Sequence, residues 1–117
     1  MQFPQNTPAF RHQYLDVYKV SLDFARWSFS ITQNKDIARC SIRDQLNRAS
    51  ESVVLNIAEG AQQTSIAMSR KHYRIALASA AECAAIIDLL ALYSVPNLEH
   101  PEHLIQRIGQ MLRVMIR

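Results

Sequence analysis

At 117 residues the chain has the length of one ordinary domain, enough to bury a core without disulfides or a structural metal. Only two glycines and four prolines in the chain, 49% hydrophobic residues and little β-branched alternation exclude a β-rich or low-complexity chain and favour an all-α fold. A net charge of +3 permits contact with nucleic acid or an acidic partner without demanding it, and Cys40 and Cys83, which lack CxxC spacing, are expected to be free thiols in the cytoplasm.

Pro4 and Pro8 in a polar opening mark residues 1–13 as a flexible arm ahead of a single domain over residues 14–117. The opening lacks the apolar core of a signal peptide, and no later apolar run is expected to reach the roughly 20 residues that span a bilayer. The first helix is predicted over residues 15–32. Its apolar residues fall into two series, Leu15, Tyr18, Leu22, Ala25, Phe29 and Val17, Val20, Phe24, Trp27, Ile31. At about 100° per residue the two stripes lie roughly 160° apart, so this helix has two faces to bury. A small bundle needs one stripe per helix, so the second is either extra core or an intersubunit surface; Val17, Val20, Phe24, Trp27 and Ile31 are expected to form an oligomer interface.

After the polar QNKD break at residues 33–36, a second helix is predicted over 37–59, ending where Gly60 supplies a left-handed C′ residue. The third is predicted over 66–93. Tyr73, Ala76, Ala80, Ala84, Ile87 and Ala91 form its heptad-like stripe, whose alanines let backbones approach closely. Pro101 suits the first turn of a fourth helix, with Leu104, Ile105, Ile108, Met111, Leu112 and Met115 opposite Arg107, Gln110, Arg113 and Arg117. Four helices with short connections predict an up-down four-helix bundle.

Bundles of this kind often hold di-metal sites built from Glu-x-x-His pairs, but none of Glu51, Glu59, Glu82, Glu99 and Glu102 has a histidine three residues later. His100 and His103 read as solvated residues beside Pro101. No phosphate loop or nucleophile elbow is present, and neither an enzyme nor a metal or cofactor is expected. The charge distribution says more. No acid lies between Gly60 and Ala81, whereas Arg70, Lys71 and Arg74 crowd the start of the third helix, against the preference of a helix dipole for acids there. That cluster is either a solvated face or an anion and nucleic-acid contact.

In RASESVVLNIAEG, residues 48–60, Arg48, Ser52, Asn56 and Glu59 line one narrow helical face, and Ser79 and Glu82 are spaced three apart on the next helix. If the two helices are antiparallel neighbours, these faces meet, with Arg48 and Glu82 pairing across them to set the register; a ligand or RNA contact is the alternative.

This stretch, with LDVYKVSLDFA at 15–25 and IALASAAE at 75–82, resembles the bacterial four-helix proteins named after open reading frames in intervening sequences of 23S ribosomal RNA genes. The resemblance covers about residues 14–112. Its most specific part is Arg48-Ala49, Ser52 and Asn56 to Gly60. Val54-Leu55 departs from it where an Ile-Pro type pair is common, as does Ala78 where a glycine precedes Ser79. The resemblance implies a ring-like homopentamer of poorly defined function, whose relatives include a basic, pentameric accessory protein of diversity-generating retroelements associated with nucleic acid. The expected function is therefore a non-enzymatic, cytoplasmic, oligomeric four-helix protein that binds RNA or an RNA-associated protein. A protein assembly scaffold is the first alternative and a small-ligand or metal enzyme the second.

Overall fold

The structure, a computed structural model, describes residues 7–117. Pro4 and the rest of the arm's first six residues lie outside the described residues. Four helices follow one another as α1 (Asp16–Thr32), α2 (Cys40–Gln62), α3 (Ile66–Leu92) and α4 (Glu99–Met115). Each packs on its neighbours in sequence, and α4 closes the square against α1, with the most extensive contact between α2 and α3. The elongated body measures 50 × 35 × 22 Å. The all-α fold and the single unit are as the sequence predicts.

The core takes one face of every helix. Leu46, Val53 and Ile57 of α2 meet Tyr73, Ala76, Ala80, Cys83 and Ile87 of α3, while α4 contributes Leu104, Ile105, Ile108 and Leu112. Of the predicted α3 stripe, Tyr73, Ala76, Ala80 and Ile87 are buried, Ala84 is half-buried and Ala91 is exposed; Cys83, Ile86 and Leu90 complete the buried face. Pro101 sits in the first turn of α4, where its missing N–H breaks no helical bond.

Four expectations are corrected. First, Val17, Val20 and Phe24 are 3%, 6% and 1% exposed within the single chain, and Trp27 and Ile31 pack half-buried against the same core. The second α1 stripe is thus the intrachain one, packed on the core that α1 shares with α2 and α4. The other stripe is open at Leu22 and Phe29, 41% and 65% exposed, while Leu15 and Tyr18 pack half-buried against the core. Second, α2 continues past Gly60 to Gln62, and Gly60 does not have positive φ. The reason for glycine is steric: a Cβ there would lie 2.5 Å from Cε1 of Tyr73. Third, Arg11, His12 and Gln13 of the expected arm join Tyr14 in a 3-10 turn against the bundle, with His12 edge-on to Tyr18 at 4.6 Å. Fourth, α3 spans 27 residues with an 18-residue window of mean hydropathy 2.0, long and apolar enough by length and composition to cross a bilayer. Its alanines hide that property from a search for large apolar residues. In this fold α3 packs between α2 and α4.

The α3–α4 turn closes with Ser94 at φ 65°. Ser94 N–H donates to Ala91 O, and Val95 N–H reaches back to Leu90 O, both at 3.0 Å, the paired bonds of a Schellman end built without glycine.

Candidate functional site

Two surface features gather the residues singled out by the sequence. The first is a polar seam between α2 and α3. Because the helices run antiparallel, Ser52 opposes Ser79 with their hydroxyl oxygens 2.7 Å apart. Asn56 Nδ2 donates to the backbone oxygen of Ser52 at 2.9 Å, and its Oδ1 faces His72 Nδ1 at 3.3 Å. Further along, Gln45 Nε2 donates to Glu82 Oε1 at 2.6 Å. Arg48, Ser52, Ser79, Glu82, Gln45 and Ala49 together line an open hollow of about 240 Å³.

The expected ion pair between Arg48 and Glu82 is absent. Among the described residues the one salt bridge joins Arg26 to Asp23 at 3.8 Å. Both Arg48 and Glu82 are exposed, so each keeps its hydration, and Glu82 is satisfied by Gln45 instead. The seam is a half-buried surface junction rather than a network inside the bundle. Glu59 points outward, away from these bonds, and Gly60 ends the seam as the flat spot under the Tyr73 ring.

The second feature is a basic half of the molecule. The starts of α1 and α3 and the ends of α2 and α4 lie together. There Arg11, Lys19, Arg70, Lys71, Arg74, Arg113 and Arg117 stand against only Asp16 and Glu59. That is a balance of +5 in one half against −2 in the other, which accounts for the overall +3. Arg70 reaches across to α4, its Nη2 2.6 Å from the backbone oxygen of Arg117, so the three cations predicted on α3 join a cluster continuing over α4. Arg11 is close enough to Tyr73 for its charge to oppose the rise in the hydroxyl's pKa that burial causes.

A third polar group, between α1 and α2, was not foreseen. Asn47 Oδ1 accepts from Thr32 Oγ1 at 3.0 Å and Ser28 Oγ at 3.2 Å, while Ser50 Oγ donates to Ser28 Oγ at 3.2 Å. Ser28, Thr32 and Ser50 are buried. Their spacing, Ser28 and Thr32 four apart and Asn47 and Ser50 three apart, was a readable signal of two small polar faces meeting.

The fold and these features define a class, an up-down four-helix bundle with a polar α2–α3 seam and one basic half. Residues 13–117 match the family model described as 23S rRNA-intervening sequence protein, and the chain belongs to that family. It is also similar to a crystal structure from Bacteroides thetaiotaomicron, a protein with unknown function from the S23 ribosomal protein family. The TM-score is 0.78 at 24% identity, covering 86% of this chain and 94% of that one, a likeness of fold. No curated protein matches.

Proposed function

We propose that the chain is a non-enzymatic, cytoplasmic protein that binds RNA through its basic half. The observation that carries this reading is the segregation of charge, seven cations against two acids where four helix termini meet, continued from α3 onto α4 by the Arg70 contact with Arg117. Such a footprint attracts polyphosphate regardless of sequence, and releasing counterions makes the affinity fall with salt. The polar seam has a structural role, holding α2 and α3 in register through the Ser52–Ser79 and Gln45–Glu82 bonds.

The test is a salt titration of labelled oligouridine with the wild type and the triple variant Arg70→Glu, Lys71→Glu, Arg74→Glu. At about 0.7 per single-strand phosphate contact, losing three contacts lowers the log–log salt slope by about 2. Unchanged affinity and slope would leave the cluster as a solvated face and favour a protein assembly scaffold.

A second reading, self-assembly, is favoured by a separate observation, the exposed Leu22 and Phe29 on the outer face of α1. In this reading another copy covers that face, and a closed ring of five follows from the family resemblance. Light scattering should give a mass several times 13.4 kDa, reduced by Leu22→Asp with Phe29→Asp. A single-chain mass for the wild type would end this reading.

A further inference from the structure

We propose that the basic half is a site for single-stranded RNA in particular, with Phe10 and Tyr14 as its base-stacking platform. The inference rests on the RNA reading above and goes beyond it by naming the form of the strand. Phe10 is 57% and Tyr14 58% exposed, two aromatic rings left open on the same short turn with Arg11 between them in sequence.

The turn is held rather than loose. His12 points inward, with Nδ1 3.1 Å from Gln62 Nε2 and its ring against Tyr18. Phe10 N–H donates to Gln13 Oε1 at 3.2 Å, and the Tyr14 hydroxyl donates to Pro8 O at 2.9 Å. The Phe10 ring lies within 19° of parallel to the His12 ring. Anchoring one aromatic inward and presenting two outward lowers the entropy lost when a planar partner stacks on them.

The charge around the rings selects the partner. Arg11 belongs to the half with seven cations and two acids, a surface complementary to phosphate rather than to a basic or neutral peptide. A base offers a π-face for the ring while its phosphate meets the cation, the combination that single-strand binders use. In a duplex each base face is already covered by its neighbours, so the exposed rings reach only unstacked bases.

The experiment measures anisotropy with labelled oligouridine, free and annealed to oligoadenine. Phe10→Ala and Tyr14→Ala should each weaken single-strand binding roughly tenfold, leave the salt slope unchanged and spare the duplex. Tyr14→Phe, which keeps the ring and loses only the bond to Pro8, should lose far less affinity than Tyr14→Ala. Helical circular dichroism and melting should be retained, since both side chains are exposed. The proposal is overturned if single-strand affinity is indifferent to both rings, if duplex is bound as tightly as single strand, or if Tyr14→Phe loses as much as Tyr14→Ala. Salt-dependent binding that ignores the rings would remove this inference alone. A wild type that binds neither strand would remove the RNA reading with it.

Discussion

The two glycines of the chain lie against opposite sides of α3 and face opposite conditions. At the α2–α3 seam Gly60 is covered by the Tyr73 ring so closely that a Cβ would overlap Cε1 and Cδ1, at 2.5 and 2.7 Å. At the α3–α4 seam a Cβ on Gly109 would meet nothing within 4 Å, and the space beside it is an open hollow of about 210 Å³ walled by Leu77, Ala81, Ala84 and Ile105. The same residue type is thus required by packing in one seam and by nothing within the chain in the other. A helical glycine costs about 0.5–1 kcal/mol relative to alanine, so only in the first does contact offset that cost.

The face of α3 that carries Tyr73 also buries Cys83, and alkali should expose this most strongly. Burial, assisted by the neighbouring Glu82 charge, pushes the Cys83 thiol up to about 12 from its ordinary 9.0, and burial also raises Tyr73. For an acid whose folded pKa is raised, the stability contribution is complete below the unfolded pKa and disappears as pH rises toward the folded one. Between pH 9 and 12 the unfolded chain releases the thiol proton while the folded chain keeps it. Stability then falls by about 1.4 kcal/mol per pH unit from this group, about 4 kcal/mol across the window. Urea midpoints against pH should decline steeply for the wild type and more gently for Cys83→Ala; parallel curves would show that the thiol is not the cause.

Gly60→Ala is next in size. The added methyl must displace a buried aromatic ring, at a cost of about 1–3 kcal/mol. A melting point equal to that of the wild type would mean that the ring moves freely and that the seam is not closed at all.

How far the sequence foretold this contrast depends on which interaction decided each element. The helices and the α4 face were legible because their periodicity is set by burial, the dominant driving force of folding. Gly60 was legible as special, but for the wrong reason. Composition links a glycine near a helix end to a left-handed cap, whereas the deciding contact comes from Tyr73, thirteen positions away and on the next helix. The two α1 stripes were both visible, yet their assignment depends on which neighbour each meets. Periodicity gives the angle between stripes and not the position of α2 and α4. The Ser52–Ser79 pairing was readable from matched spacing on antiparallel helices. The Gln45 bond that takes Glu82 from Arg48 was not, because one-turn competition between partners is decided by side-chain geometry.

Gly109→Ala should act in the reverse direction from Gly60→Ala. With free space for the methyl and a better helix former in place, the chain should gain about 0.5–1 kcal/mol. A loss where light scattering finds a multimer, with a gain where it finds a single chain, would place another copy against the open seam.

A subtler contrast separates two pairs within the α2–α3 seam itself. Ser52 and Ser79 share a hydrogen bond at 2.7 Å in a half-buried position, whereas Arg48 and Glu82 border the same hollow without a salt bridge. A double-mutant cycle of Ser52→Ala and Ser79→Ala should show a coupling of about 0.5–1.5 kcal/mol, because truncating either hydroxyl already breaks the shared bond. The cycle of Arg48→Met and Glu82→Leu should be additive within about 0.3–0.5 kcal/mol, since both charges are exposed and solvated. Coupling above about 1 kcal/mol in the second cycle would mean that Arg48 swings into the hollow and pairs with Glu82 in solution. The seam would then be held by charge as well as by hydroxyls, and high salt should weaken it. If the coupling is absent at every salt concentration, the arginine is free of any part in holding α2 to α3, and its place at the rim of the hollow serves the surface rather than the fold.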